Sequence, residues 1–264
     1  MTERDYQPIL ADTPEGRAVH YRMRYKVFCL ETGFEPPEYF PDGQERDAYD
    51  DRAVHFLVRS RYTGHWVATL RLILRGSHGL QIEQLCRLHP ELQRSIARGT
   101  VAEASRLSIV GLPSSGAIPG AGLRGGRGLV DRLRARRASP QILVKLLRAA
   151  GHYGLLHGID HLVCLIRPTL ARLVTEMGVP LAPCGHPCRH RGVRVPHGVS
   201  CRALSAALDR LTSHSGAMDR DDPPYALFSE IAAPETAAWM PAVTPNRVEY
   251  PTALWLRAEP DHSH

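Results

Sequence analysis

The stretch 101–110 constrains this chain more than any other, because it has a strand pattern with two opposite charges in its middle. Its valines and isoleucine are β-branched residues, which favour strands. Glu103 and Arg106 lie between them, and burying charged groups costs free energy unless the groups are paired. A strand that contains both charges therefore indicates a functional cleft.

Two ionic clusters upstream can meet this strand. Glu45, Asp47 and Asp50 lie close together after a proline-containing segment, and Arg71 lies inside the apolar stretch 67–74. We expect these acids and arginines to line a single cleft with Glu103 and Arg106. The alternative is a set of scattered salt bridges on the surface.

Hydrophobic periodicity predicts an α/β layered sandwich with a mostly antiparallel N-terminal sheet. Thr13, Pro14 and Glu15 form a helix start, with a capping hydroxyl followed by proline and an acid. The predicted elements are a helix 14–32, a hairpin of strands 53–60 and 65–74, a helical stretch 80–96, the strand 101–110, a helix 139–157, a strand 159–166, a helix 168–177, two strands within 179–200 and a helix 201–211.

The 264 residues allow one large domain with an extension. We assign residues 1–211 to the domain and 212–264 to a C-terminal extension of uncertain order, because the chain becomes polar and proline-containing there. The glycine- and arginine-rich composition of residues 111–139 predicts a flexible basic loop inside the domain. Ser139 and Pro140 are predicted to start the next helix.

Composition narrows the class of protein. The chain has no apolar run of about 18 residues and no signal-peptide pattern, so we expect a soluble cytoplasmic protein without a transmembrane segment. Its six cysteines are then expected to stay reduced. Cys184 and Cys188 have a spacing that permits zinc, together with His186 and His190, but no second cysteine pair matches it. We therefore predict no metal site.

The spacing of the charged residues resembles that of the acyl-homoserine-lactone synthases and the related N-acyl amino acid synthases. The residues that carry the resemblance occur in the order Arg24, Phe28, Phe34, Glu45, Asp47, Asp50, Arg71, Glu103 and Arg106. A looser resemblance over about 155–200 is to the acyltransferases associated with PEP-CTERM/exosortase systems. The resemblance implies a GNAT-like acyl-CoA N-acyltransferase fold, a three-layer sandwich with a mixed central sheet.

The resemblance implies an N-acyltransferase that moves a fatty acyl group from acyl carrier protein, or from acyl-CoA, to the amino group of a small molecule such as an amino acid. No bound cofactor is expected. An amine that attacks a thioester needs a base, and Glu103, acting through water, is the candidate. Arg71 and Arg106 would fix the cleft. Alternatively, Glu103 is a buried acid paired with one of these arginines.

Strand alternation would place Glu103 and Arg106 on opposite faces of the sheet. The resemblance therefore predicts a β-bulge near Ala104 and Ser105. The remaining candidates for substrate binding are Arg24, Phe28, Phe34, Asp47, Asp50 and Ser105.

Three of these candidates have a second interpretation. Asp47 and Asp50 could bind the substrate ammonium, or could pair with Arg24 and Arg71 to fix the loop over the cleft. Phe28 could equally be an ordinary core residue. Phe34 occupies a position where the lactone-producing enzymes usually carry tryptophan, so we expect acyl transfer to an amine other than theirs.

The basic stretch predicts an acidic partner, since the chain has a formal net charge of +6. The arginines assigned to docking of an acyl carrier protein are Arg124, Arg127, Arg132, Arg134, Arg136 and Arg137. A solvated loop and a partial phosphate-binding turn for coenzyme A are the other interpretations. No aromatic residues are interleaved with the arginines for base stacking, so no nucleic-acid partner is expected.

Two other functional hypotheses fit the same residues. A non-catalytic module could use the fold to bind an acyl ligand or a partner protein without turnover. An ordinary coenzyme A-dependent acetyltransferase would be insensitive to neutralisation of the basic stretch.

Overall fold

A computed structural model describes residues 5–76, 79–110, 127–212 and 224–231, and for residues 127–139 and 212 it describes the backbone alone. Within these ranges nine strands form one sheet in the spatial order β6-β8-β5-β4-β3-β2-β1-β9, and β7 pairs with β8 beside this path. The strands are β1 (Tyr6–Leu10), β2 (Ala53–Ser60), β3 (Trp66–Ile73), β4 (Val101–Ile109), β5 (His161–Ile166), β6 (Ala182–Pro183), β7 (Cys188–Arg189), β8 (Val193–Ser200) and β9 (Ala226–Leu227).

The sheet is mixed. β4 and β5 are parallel, as are β1 and β9, whereas the other neighbouring strands are antiparallel. The predicted hairpin and the strand 101–110 are confirmed. β1, a five-residue strand with Pro8 in its middle, was not predicted from the sequence, because proline is disfavoured inside sheets.

The helices cover the two faces of this sheet. The α-helices are α1 (Pro14–Arg24), α2 (Gln81–Leu85), α3 (Pro90–Ala97), α4 (Arg127–Leu156), α5 (Pro168–Glu176) and α6 (Cys201–Thr212). A π-helix (Tyr25–Glu31) continues α1, and short 3-10 helices span Pro37–Tyr39, Asp50–Arg52 and Phe228–Glu230. The predicted start of α1 is confirmed, because the Thr13 side chain accepts a hydrogen bond from the Gly16 N–H at 3.1 Å.

Alternation along β2 separates two apolar layers. Phe56 and Val58 face a core with α4 and α6, which includes Leu146. Leu57 points the other way and packs with Met23 of α1. Helices on both faces of one sheet make the three-layer sandwich that was expected.

The N-terminal helical run differs from the expected pattern at its end. Leu30, which continues the apolar stripe of Val19, Met23 and Val27, has an exposed fraction of 61%. The change from α- to π-helix at Tyr25 explains this exposure, since it changes the angular spacing of the side chains.

The expected basic loop is wrong over residues 127–139. These residues are the first part of α4, and Pro140 lies inside this helix rather than at its start. Leucine, arginine and alanine dominate the stretch, and all three are strong helix formers. Residues 111–126 lie outside the described ranges.

Part of the C-terminal extension packs on the domain. β9 pairs with β1 in parallel through Ile9 and Leu10. Phe228 is buried, and its ring stacks on Trp66 with centroids 5.8 Å apart. Among the described residues, no helix is both long enough and apolar enough to cross a membrane.

Candidate active site

Arg24, at the end of α1, is the centre of a buried ionic network. Its side chain is fully buried. The guanidinium donates to Glu45 through Nε and to Oδ1 of Asp50 through Nη1, the second at 2.6 Å. These two contacts fix the irregular segment after the π-helix to α1.

Arg71 fixes the same segment from the central strand β3. Its Nη1 donates to Asp47 Oδ1 at 2.6 Å and to Asp50 Oδ1 at 3.0 Å. Its Nε donates to Ser105 Oγ at 3.0 Å on the neighbouring strand β4, and its Nη2 to Gln81 Oε1 at 3.3 Å. Since the guanidinium is fully buried, these acceptors are what make its burial tolerable.

A β-bulge brings Arg106 into the network. β4 pairs with β3 at Ser105 opposite Arg71 and at Ser108 opposite Thr69, so that Arg106 and Leu107 together face a single residue. Arg106 has a φ of +50°. The predicted bulge is therefore present, but it lies two residues beyond the expected position, Ala104 and Ser105.

The bulge lets Arg106 share the carboxylates that hold the other two arginines. Its Nη2 donates to Glu45 Oε1 at 3.1 Å and to Asp47 Oδ2 at 2.9 Å. Burial alone would raise the pKa of each of these carboxyl groups. Arg24 and Arg106 nevertheless lower the pKa of Glu45, and Arg71 and Arg106 lower that of Asp47. The carboxylates are thus held ionised in this network.

Glu103 is buried beside the network but is not paired with it. Its exposed fraction is 2%, and its Oε2 accepts a hydrogen bond from the Ile82 N–H of α2 at 2.8 Å. No ion pair joins it to Arg71 or Arg106 within 4 Å among the described residues. Burial raises the pKa of Glu103 to about 7, against the lowering effects of the Ile82 hydrogen bond and Arg71.

The sheet opens directly beside Glu103. β4 and β5 pair only from Val101 to Glu103, opposite His161 to Val163. Beyond these residues β4 stays paired with β3 and β5 stays paired with β8. The parallel strands therefore separate at Glu103, which places a carboxyl with a pKa near 7 at the start of the gap.

The two candidate phenylalanines lie against arginines of the site. The Arg106 guanidinium carbon is 5.7 Å from the centroid of Phe28 on the π-helix. The corresponding distance from Arg191 to Phe34 is 6.0 Å. Both rings are half-buried and remain available to contact a ligand.

Three residues of the site were not predicted from the sequence. His55 of β2 lies opposite Arg71, and its Nε2 is 3.0 Å from Asp50 Oδ1; the hairpin register could have revealed it. Glu35 forms ion pairs with Arg106 at 3.7 Å and with Arg191. Arg191 lies 156 positions from Glu35, and no local sequence signal connects them.

The expected docking arginines lie outside the residues whose side chains the structure describes. Arg124 lies in the undescribed residues 111–126, and Arg127, Arg132, Arg134, Arg136 and Arg137 lie in the part of α4 described by its backbone alone. Docking of a carrier protein by these residues stays a prediction.

The cysteines differ from the expectation that all stay reduced. Cys86, at the end of α2, forms a disulfide with Cys188 of β7, with Cα atoms 5.7 Å apart. Their separation of 102 positions gives no sequence signal for this pairing. Because its sulfur is bonded to Cys86, Cys188 cannot bind zinc together with Cys184. Within the described ranges, no group of three or more histidine, cysteine, aspartate or glutamate residues is arranged to hold a metal ion.

Comparisons with known proteins support the fold. Residues 23–111 match the acetyltransferase (GNAT) domain family, and no curated protein matches the chain. The chain is similar to the solved structure of TofI in a ternary complex with an inhibitor and MTA, with 20% identity, 77% of this chain and 96% of that chain covered, and a TM-score of 0.54.

The AHL synthase LasI is a second similar structure, with 14% identity, 81% of this chain and 97% of that chain covered, and a TM-score of 0.50. FeeM, an N-acyl amino acid synthase from uncultured soil microbes, has a lower TM-score of 0.44, with 14% identity over 75% of this chain and 92% of that chain. The expected fold is confirmed: the chain has a GNAT-like fold with a mixed central sheet, like the AHL synthase structures it matches.

Proposed function

We propose that this protein is an N-acyltransferase that moves a fatty acyl group from an acyl thioester to the amino group of a small molecule. The observation that carries the proposal is the position of Glu103. A buried carboxyl with a pKa of about 7 lies where β4 and β5 separate, inside a GNAT-like fold. The match to the acetyltransferase (GNAT) domain family and the similarity to the AHL synthase LasI support acyl transfer as the reaction class.

The chemistry requires a base whose pKa is near the working pH. The neutral amine attacks the thioester carbonyl, which forms the C–N bond and moves an electron pair onto the carbonyl oxygen. In this proposal, ionised Glu103 accepts the amine proton through a bridging water, and the Ile82 N–H fixes the position of its Oε2. The C–S bond then breaks, and the thiolate leaves and takes up a proton.

The ionic network would act as the rigid wall of this cleft. Arg71 and Arg106 share Asp47 and hold the surrounding loop, so that a substrate meets a fixed surface without reorganisation. Phe28 and Phe34 supply half-buried apolar surface for the acyl chain or the acceptor.

The donor in this proposal is acyl carrier protein, with acyl-CoA as the alternative. The arginine-rich residues 124–137 and the net charge of +6 favour an acidic carrier protein. The looser resemblance of 155–200 extends the proposal to a role alongside PEP-CTERM/exosortase systems. If no exosortase gene lies near the gene of this protein, the proposed link to PEP-CTERM/exosortase systems is contradicted. The proposed acyl-transfer reaction does not depend on that link.

Mass spectrometry of lipid extracts tests the reaction. Cells that express the wild type should contain an N-acyl species absent from cells that express Glu103→Gln. The exposed acid of α3 supplies a matched control, Glu91→Gln, which should resemble the wild type. An unchanged lipid profile, together with binding of acyl carrier protein without release of free thiol, would instead favour the non-catalytic binding module.

A further inference from the structure

The β-bulge of β4 contains Arg106 in an unfavourable main-chain conformation. Thr69 of β3 pairs with Ser108, and the register of the two strands shifts directly after this pair, so that Arg106 lies outside the regular pairing. Its φ of +50° is in the left-handed region, which is unfavourable for a residue with a Cβ atom. Such a conformation persists only where the surrounding structure stabilises it.

The side chain of Thr69 supplies a contact that stabilises the bulge. Its Oγ1 donates a hydrogen bond to the Arg106 carbonyl at 2.9 Å, and the same oxygen lies 2.7 Å from Ser108 Oγ. Because a hydroxyl has one proton, Ser108 donates to Thr69 while Thr69 donates to Arg106. Thr69 and Ser108 have exposed fractions of 0% and 4%, so loss of the Thr69 hydroxyl would leave buried polar groups without their partner.

The main chain of the bulge determines where the Arg106 guanidinium lies. Strand alternation would place Arg106 on the face opposite Glu103, and bulges change the direction of a side chain. With the bulge in place, Arg106 Nη2 lies 3.1 Å from Glu45 Oε1 and 2.9 Å from Asp47 Oδ2. A change in the conformation of the bulge would therefore move the guanidinium away from these carboxylates.

Arg106 is the member of the buried ionic network that a substrate can contact. Its side chain is 12% exposed, whereas the side chains of Arg24 and Arg71 are 0% exposed. It also lies against the half-buried ring of Phe28, with 5.7 Å between the guanidinium carbon and the ring centroid. The position of Arg106 thus sets part of the surface that the cleft presents to a substrate.

We propose that Thr69 is a positioning residue for acyl transfer, because its hydroxyl holds the Arg106 carbonyl and so fixes the guanidinium that lines the cleft. Ser108 supports it by donating to the same hydroxyl. The inference rests on the proposed acyl transfer, and it adds a residue that acts through Arg106 without contacting the substrate.

Matched substitutions of threonine test the inference. Thr69→Val removes the hydroxyl and keeps the branched shape, whereas Thr69→Ser keeps the hydroxyl. Thr175→Val is the control, because the exposed Thr175 makes the same kind of bond, to the Ala171 carbonyl at 2.9 Å, on α5. The readout is release of free thiol from palmitoyl-acyl carrier protein and from palmitoyl-CoA with a mixture of the common amino acids. Rates are divided by the folded fraction measured in urea unfolding.

We expect Thr69→Val to lower kcat by roughly tenfold to a hundredfold, since small displacements of positioned groups have effects of this size. Thr69→Ser should recover most of the loss, and Thr175→Val should resemble the wild type. Arg106→Lys keeps the charge and loses the planar fork. In that background Thr69→Val should cost less than about threefold, because residues that act through one another are not additive.

A crystal structure of Thr69→Val supplies a readout that does not depend on activity. The distance from Arg106 Nη2 to Asp47 Oδ2 should exceed the hydrogen-bond limit of about 3.5 Å, and it should stay unchanged in Thr175→Val. If Thr69→Val does not fold, Ser108→Ala replaces it, because it removes only the donor to Thr69. The expected effects then have the same direction and a smaller size.

Three results would overturn the inference. Thr69→Val could lower the free energy of unfolding without changing kcat of the folded protein, which would make the contact merely structural. Its effect on kcat could be equal in the wild-type and Arg106→Lys backgrounds. The guanidinium could also keep its position in the crystal structure of the variant. Absence of thiol release by the wild type with any amine would contradict the proposed function instead, and the crystal structures would still decide whether Thr69 positions Arg106.

Discussion

Oε2 of Glu103 accepts a hydrogen bond from the backbone N–H of Ile82 at 2.8 Å. The N–H belongs to the first turn of α2, where helix N–H groups have no partner within the helix. Glu103 thus satisfies a helix end while its own charge is left without an ion pair to Arg71 or Arg106 in the described part of the chain. A carboxyl in this position is fixed in place and still able to gain or lose a proton near neutral pH.

We expect Glu103→Gln to lower kcat/KM by roughly a hundredfold to ten-thousandfold, as loss of a general base does. In the wild type, the pH profile of kcat/KM should contain a step near pH 7, where Glu103 becomes ionised, in addition to the rise caused by deprotonation of the acceptor amine. The variant should lose this step. The acceptor amine ionises in both proteins, so the ratio of their pH profiles isolates Glu103. A ratio that stays constant between pH 5 and 9 would contradict the assignment.

Glu103 should also make the folded protein less stable as pH rises. Its folded pKa of about 7 lies above its ordinary value of 4.5, so between these values the folded state binds more protons than the unfolded state. The protonated carboxyl therefore contributes to the free energy of unfolding below pH 4.5. This contribution, on the order of 3 kcal/mol, is lost as the pH rises from 4.5 to 7. Urea unfolding should show Glu103→Gln more stable than the wild type at pH 8 and similar at pH 4. A variant destabilised at both pH values would mean that glutamine cannot keep the Ile82 hydrogen bond.

Removal of one buried arginine should cost far more than removal of an exposed one. Arg24→Met leaves Glu45 and Asp50 buried with one ionic partner fewer, so we expect a loss of about 3–5 kcal/mol in the free energy of unfolding. Arg46, which pairs with Asp42 at the surface, supplies the control. Arg46→Met should change stability by less than about 1 kcal/mol. Equal losses in both variants would refute the view that the Arg24 network holds the fold.

The clusters of charged residues were readable from the sequence. The acids after the π-helix and Arg71 on β3 could be predicted to meet, because a strand that keeps an arginine needs nearby carboxylates. The structure brings Arg71 together with both Asp47 and Asp50. The helix start at Thr13 was also predictable, because the capping threonine and the following proline are adjacent in the sequence.

Contacts between segments that lack such a charge pattern were not readable. Glu35 and Arg191 meet over 156 positions, and neither has a neighbour that signals the other. The bulge is a similar case, because its left-handed residue is Arg106 rather than the glycine or asparagine that usually marks such a position. The position of the bulge was therefore predicted two residues too early.

The disulfide between Cys86 and Cys188 gives the last prediction. It links the end of α2, which holds Glu103, to β7 next to the turn that carries Arg191. Protein purified without reductant and then denatured should show four reactive thiols, since four of the six cysteines are free. Reduction should raise the number to six and lower stability by about 4.7 kcal/mol, as opening a loop of about 100 residues does in the chain-entropy model. Cys86→Ser should be destabilised without reductant and insensitive to it, whereas Cys29→Ser should keep the response to reductant. Six reactive thiols before reduction would show that the pair is not oxidised in the protein.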